Sequence, residues 1–271
     1  MPEVTRVSMR LLNTARFATT VAQPRQLPAE GPPEVAFVGR SNSGKSTAIN
    51  TLCERRRLAF ASRTPGRTQA LNLFALGPAD TVVALLVDTP GYGYAKVPLG
   101  IKSGWDALAG PYLRGRHSLK GVVVTLDVRR EVTPADAAML EWIDPAVGLL
   151  VLLTKCDKLG FEQRMKVKRA VALQLAETFP GRGIEVIVFS APARLGLDEA
   201  RAKIEAWLQP EPADTTDSTD GDSPDEVSSD RSSDRSADPS TDDAPASSPP
   251  PSPDSSPPPP PSPDTHRRST R

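Results

Sequence analysis

Gly39, Gly44, Lys45 and Ser46 stand at the spacing of a phosphate-binding loop in the stretch "GRSNSGKST". The pattern is glycine, four residues, then Gly-Lys-Ser, so Arg40, Ser41, Asn42 and Ser43 form the span between the glycines. An apolar run at 35–38 precedes it, and a helix-like segment with Ile49 and Leu52 on one side follows. Strand, glycine loop, helix is the context such a loop needs. The glycines let successive backbone N–H groups turn toward phosphate oxygens, and the helix N-terminus adds a field that favours anions. Lys45 offers a point charge to the outer phosphates, and the Ser46 hydroxyl is a ligand for Mg²⁺. A glycine turn with an incidental lysine is the competing reading. The flanking strand and helix argue against it.

Three further loops carry matching chemistry. "DTPG" (Asp88, Thr89, Pro90, Gly91) follows the apolar run at 81–87. An Asp at a strand end can hold Mg²⁺ through water, and the Gly91 N–H can meet a γ-phosphate. "TKCD" (Thr154, Lys155, Cys156, Asp157) ends the run at 148–153. A carboxylate at Asp157 accepts from both N1–H and the exocyclic amine of guanine, a donor pair adenine lacks, so it selects guanine. The Lys155 stem can lie over the base, and Thr154 stands where Asn is usual. A helix cap ahead of "LGFEQ" is the plain alternative for Asp157. The segment Phe189, Ser190, Ala191 closes the last strand, where the Ala191 N–H can reach the guanine O6. Thr68, in "TPGRTQ", can close over Mg²⁺ when a γ-phosphate is present. Thr64 competes for that role, and turn chemistry accounts for either. The set predicts GTP and GDP as ligands, with Mg²⁺.

The elements that must position these loops are legible as alternating patterns. The spans 70–76 and 81–87 flank a "GPAD" turn and predict a hairpin. Continuous apolar runs at 121–128 and 148–154 predict strands buried on both faces, and 184–190 the last strand. Helical patterns fall at 102–113, 134–143, 161–178 and 197–208, with Pro134 placed to start the second. The sum is an α/β fold: a mostly parallel six-stranded sheet of P-loop GTPase type with helices on both faces. Ligands of such sheets sit at the carboxyl ends of the strands, where every motif above falls.

The chain of 271 residues divides unevenly. Residues 1–27 read as a lead-in with a short amphipathic helix, 28–209 as one GTP-binding domain, and 210–271 as a disordered acidic tail rich in Pro, Ser and Asp. The tail holds 14 acidic and 5 basic residues of the chain's 33 and 33, which leaves the body with 28 basic and 19 acidic. A body carrying +9 suits a polyanion such as RNA; an ordinary domain with scattered charge is the alternative. Cys53 and Cys156 are too few for a disulfide framework or metal cluster, and His117 and His266 are isolated. No signal peptide or membrane span is legible, so the expected location is the cytoplasm.

The motifs "GRSNSGKS", "TPGRTQ", "DTPGYGYAKV", "DVR" (127–129) and "LTKCDKL" together resemble the EngB (YihA/YsxC) family of bacterial GTPases over about residues 28–208. "TPGRTQ" with "PGYGYA" is the specific combination; the other loops are common to many GTPases. The resemblance implies a slow, Mg²⁺-dependent GTPase switch, monomeric, acting in large ribosomal subunit assembly and in normal cell division and septation. The precursor subunit, its rRNA and its ribosomal proteins, is the implied partner. It also assigns Gly66, Arg67, Thr68, Gln69 and Ala70 to the nucleotide and chooses Thr68 over Thr64 for Mg²⁺. Tyr92 stands where small GTPases place a water-orienting Gln, which implies slow intrinsic hydrolysis. Asn42 stands where related GTPases hold K⁺; tolerance of tight turns equally explains an Asn there. A metabolic nucleotide kinase and a division regulator with no ribosomal role are the competing functions. The first would leave "TKCD" and "TPGRTQ" unexplained.

Overall fold

The computed structural model describes residues 10–60, 70–92 and 99–209, with only the backbone described over 99–106. The expectations at 61–69, 93–98 and in the tail from 210 lie outside the described residues.

Seven strands form one sheet in the order β1-β3-β4-β2-β5-β6-β7. They are β1 (Arg16–Val21), β2 (Glu34–Gly39), β3 (Leu71–Leu76), β4 (Ala84–Asp88), β5 (Leu119–Asp127), β6 (Gly148–Thr154) and β7 (Glu185–Val188). β4, β2, β5, β6 and β7 run parallel, and β3 pairs antiparallel with β4 as the expected hairpin. The sheet thus has one strand more than the six expected. β1 adds antiparallel to β3 at the edge, with a register shift between Phe17 and Thr19. Residues 11–14 of the lead-in form a single 3-10 turn, and the expectation of a helix over 1–9 lies outside the described residues.

Strand periodicity fills both faces. In β2, Ala36 and Val38 join the core on one face while Val35 and Phe37 join the core on the other. In β6, Leu149, Val151 and Leu153 face the first core and Leu150 and Leu152 the second. A strand whose two faces are both buried reads as a continuous apolar run, which is why these strands are legible. Helices α2 (Leu99–Gly115), α3 (Pro134–Leu140) and α4 (Phe161–Thr178) cover the first face, through Tyr112 and Leu113, Met139 and Leu140, and Val171 and Leu175. Helices α1 (Lys45–Leu52) and α5 (Leu197–Trp207) cover the second, through Ile49 and Leu52, and Leu197 and Ile204.

The amino end of the sheet is braced by a buried polar cluster. Glu34, fully buried, accepts from the Tyr112 hydroxyl at 2.7 Å and from Arg116 at 2.6 and 3.0 Å, tying α2 to β2. Burial and the Glu34 carboxylate beside it push the Tyr112 phenol well above its ordinary range. At the same end Trp207 lies over Gly121 and Gly148. A Cβ at Gly121 would come within 2.1 Å of the indole, and one at Gly148 within 2.6 Å. With its amino end thus packed, the sheet leaves its carboxyl end to the loops.

Candidate functional site

The phosphate-loop residues leave β2 at Gly39 and enter α1 at Lys45. Two positive-φ residues, Asn42 (φ 65) and Gly44 (φ 99), make the turn. An Asn tolerates this left-handed backbone better than most residues. Ser43 N–H closes the turn on the Arg40 carbonyl at 3.0 Å, and Ser43 Oγ lies 2.6 Å from Thr125 Oγ1 of β5. No side chain fits at Gly39: a Cβ would lie 2.1 Å from Thr125 Oγ1. The glycine therefore lets β5 hold the loop from beneath. On its other flank the loop pairs with the strand-end segment after β4, where Ser41 N–H donates to the Tyr92 carbonyl and Tyr92 N–H to Gly39, each at 3.3 Å. Gly91 is crowded likewise, since its Cβ would meet Ser41 Oγ at 2.8 Å.

Lys45 Nζ bonds Asp88 Oδ1 directly, so the two charges expected to face phosphate and metal meet at one point. Asp88 and Thr89 are buried, and Thr89 Oγ1 donates to the Phe37 carbonyl at 2.9 Å. Ser46, half-buried, lies in the first turn of α1. Among the described residues no group of three or more His, Cys, Asp or Glu could hold a metal ion, so hydroxyls such as that of Ser46 and the Asp88 carboxylate are the donors at hand.

The "TKCD" residues leave β6 beside the phosphate loop. Thr154 Oγ1 donates toward the Ser43 carbonyl and lies 3.0 Å from that of Leu126, so the residue replacing the usual Asn ties loop to strand. Lys155 (φ 60) stretches back across the site, its Nζ reaching the Asn42 carbonyl at 2.8 Å and Asp127 Oδ2 at 2.9 Å. Asp157 accepts from Ser190 Oγ at 2.8 Å and pairs with Lys158 at 3.1 Å. The Ser190 hydroxyl and then the Lys158 ammonium hold its carboxyl below the ordinary carboxylate range, leaving it an ionised acceptor at neutral pH. Ala191, half-buried, follows Ser190 at the same edge. The side chains of Cys156 and Phe189 point into the core instead. Cys156 Sγ contacts the Leu153 carbonyl and its N–H donates to the Phe189 carbonyl at 3.3 Å, so these two residues shape the loops through their backbones. Burial pushes the Cys156 thiol up.

Ala70, half-buried, immediately precedes β3, while Gly66, Arg67, Thr68 and Gln69 lie outside the described residues, as does Thr64. Two contributors stand outside the expected site residues. Asp127, the buried end of β5, accepts from Arg129 at 2.7 and 2.9 Å and from Lys155, and these cations depress its carboxyl strongly, Arg129 foremost. Its place at the end of an apolar strand in "DVR" was the available signal. Asp136, fully buried, accepts from the Tyr92 hydroxyl at 2.9 Å, from Thr133 Oγ1 at 2.8 Å and N–H at 2.7 Å, and pairs with Arg40 at 3.2 Å. It joins α3 to the loops after β2 and β4. From the sequence it reads only as the acidic half of a capping box after Thr133.

A mostly parallel sheet with a glycine phosphate loop after β2, Lys45 against Asp88, and Lys155 and Asp157 after β6 defines a P-loop guanine-nucleotide-binding protein. A family model described as a 50S ribosome-binding GTPase matches residues 34–155. The chain is 50% identical over 212 residues to the probable GTP-binding protein EngB of Paraburkholderia xenovorans, covering 77% of this chain and 98% of that protein. It is 50% identical over 209 residues to the same protein of Burkholderia thailandensis, covering 75% and 95%. Among solved structures, Era in complex with MgGDPNP and a segment of 16S ribosomal RNA shares the fold, at 24% identity and a TM-score of 0.53, over 68% of this chain and 59% of that one. The chain belongs to the EngB family of GTP-binding proteins, P-loop GTPases that hydrolyse GTP.

Proposed function

We propose that this GTPase is a Mg²⁺-dependent switch acting on the precursor of the large ribosomal subunit, with normal division and septation depending on it. The observation that carries the reading is the 50S ribosome-binding GTPase model over 34–155, laid on loops at the carboxyl end of the sheet. Family membership sets aside the nucleotide kinase. The work is placed in the cytoplasm in this reading; no helix among the described residues is long and apolar enough to cross a membrane. The protein acts as a monomer in this reading.

The residues fit the ligand. Gly39, Arg40, Ser41, Asn42, Ser43 and Gly44 form the phosphate cradle, where the crowded glycine leaves backbone rather than side chains to face an anion. Lys45 faces the outer phosphates, and Ser46 with Thr68 holds Mg²⁺, which supplies charge to the phosphates when bound. Asp88, Thr89, Pro90 and Gly91 serve the γ-phosphate side, and Gly66 to Ala70 serve the nucleotide. Asp157 reads the guanine edge, with Lys155 across the base and Ala191 near O6. Tyr92 is committed by its hydroxyl to Asp136, so it does not serve as a water-orienting group, and hydrolysis by the isolated protein is slow. Asn42 further holds K⁺ beside the phosphates. Phosphate release in K⁺ and Na⁺ buffers tests this: K⁺ accelerates the wild type and not Asn42→Ala, and equal rates throughout remove the cation.

Sedimentation tests the switch. The protein should travel with large-subunit precursors in the presence of a non-hydrolysable GTP analogue and leave them with GDP. Indifference to the nucleotide would overturn the reading. If depletion disturbs septation while subunit profiles on sucrose gradients stay normal, the division regulator takes its place.

A further inference from the structure

At the far end of α1 from the phosphate loop the chain turns through Glu54 (φ 52) into three consecutive arginines. Arg55, Arg56, Arg57 and Leu58, with Ala15 and Arg16 across from them, line a pocket of about 330 Å³. Glu54 does not neutralise this cluster. Its carboxylate is taken by Arg201 at 3.0 Å, Arg194 at 3.3 Å and Asn13 Nδ2 at 3.1 Å. Arg16 and Arg55 donate to carbonyls, those of Gly77 (2.8 Å) and Thr81 (3.2 Å), and of Asn13 (3.0 Å), which orients their guanidiniums without cancelling charge. Arg56 and Arg57, both exposed, make no hydrogen bond or ion pair with any described residue. Two aromatic rings adjoin these residues in the chain and stand out in water: Phe17 is 59% exposed and Phe60 75%. Phe17 leans edge-to-face on Phe74, with ring centroids 6.3 Å apart, which fixes its ring while leaving it open.

Four guanidiniums gathered with no carboxylate of the described residues to pair Arg16, Arg55, Arg56 or Arg57 repel one another, a cost that folding alone does not require. Guanidinium forks match phosphate oxygens, and an exposed phenyl ring offers a stacking face to an unpaired base. A duplex would satisfy the arginines and leave the rings unused, whereas a single strand satisfies both. We propose that the arginine turn at 55–57, with Arg16 and the neighbouring Phe17 and Phe60, is a docking surface for single-stranded RNA. It rests on the ribosomal reading above only for where such RNA is met.

The test uses the full chain and a short, labelled, mixed-sequence single-stranded RNA, with binding followed by fluorescence anisotropy across a KCl series. Arg56→Ala with Arg57→Ala should weaken binding at low salt and lower the slope of log K against log salt by about 1.4, two phosphate contacts at ~0.7 each. Phe60→Ala should cost about fivefold or more with the slope unchanged, because stacking releases no counterions. Affinity for a fluorescent guanine nucleotide should stay at the wild-type value in all variants. An unchanged slope in the arginine variant overturns the proposal. So does wild-type RNA binding joined to lost sedimentation with large subunits, which would make the turn a protein dock. If the wild type ignores its nucleotide on sedimentation while the slope change is present, the switch fails and the RNA surface stands.

Discussion

In the site proposed above, Asp157 is the carboxylate that reads the base. Ser190 and Lys158 hold it ionised, and an ionised acid can accept two hydrogen bonds at once from a guanine edge. Replacing it by Asn keeps one acceptor and adds a donor, which suits the extra carbonyl of xanthine. Asp157→Asn should lose GTP affinity by at least on the order of a hundredfold and gain XTP, read by competition titration. Unchanged GTP affinity with no XTP binding would refute the assignment. Lys45→Ala has a double consequence, because Lys45 is also the partner of the buried Asp88. Nucleotide binding should collapse, and the nucleotide-free protein should lose about 3 kcal/mol from the unpaired buried charge, by urea unfolding. Binding at the wild-type level would remove the phosphate-loop reading. These residues were legible because their types are tied to spacing. Asp127 was legible only as the first residue of "DVR" beside its partner Arg129, its bond to Lys155 being long-range, and Asp136 was not legible, since its partners Tyr92 and Arg40 come from distant loops.

The elements repeat that division between local and long-range information. The runs at 121–128 and 148–154 announced β5 and β6 because burial on both faces leaves β6 apolar up to Thr154 and leaves Thr125 as the one polar residue between Gly121 and Asp127 of β5. β1 gave no such sign: Phe17, Ala18, Thr19 and Thr20 are exposed, and only its pairing with β3 makes "RFATTV" a strand. β7 stops at Val188, short of the expected 190, because the chain turns at Ser190 to bridge Leu195. The packing of α5 was equally silent, for it depends on Trp207 finding two glycines in separate strands. Gly121→Ala drives a methyl into the indole and should destabilise by about 1–3 kcal/mol in urea unfolding. Guanine-nucleotide affinity should be unchanged, because the clash is at the opposite end of the sheet from the loops. A variant as stable as wild type would mean that Trp207 packs elsewhere.

Over the whole molecule, charge is the property to explain, because a neutral chain is composed of a basic body and an acidic tail of opposite net charge. The tail, outside the described residues, has almost no large apolar side chains with which to pack. Removing 211–271 should therefore leave the melting temperature and nucleotide affinity as they are; a fall of many degrees would make the tail structural. If its carboxylates compete with phosphates for the basic body, the truncated protein should bind single-stranded RNA more tightly at low salt. The difference should vanish at high salt, where both attractions are screened. The two charge effects also have a common address. If the tail acts through the turn at 55–57, truncation should gain less affinity in the Arg56→Ala, Arg57→Ala protein than in the wild type. Equal gains in both would assign the competition to the body's diffuse charge, with the arginine turn receiving RNA free of the tail.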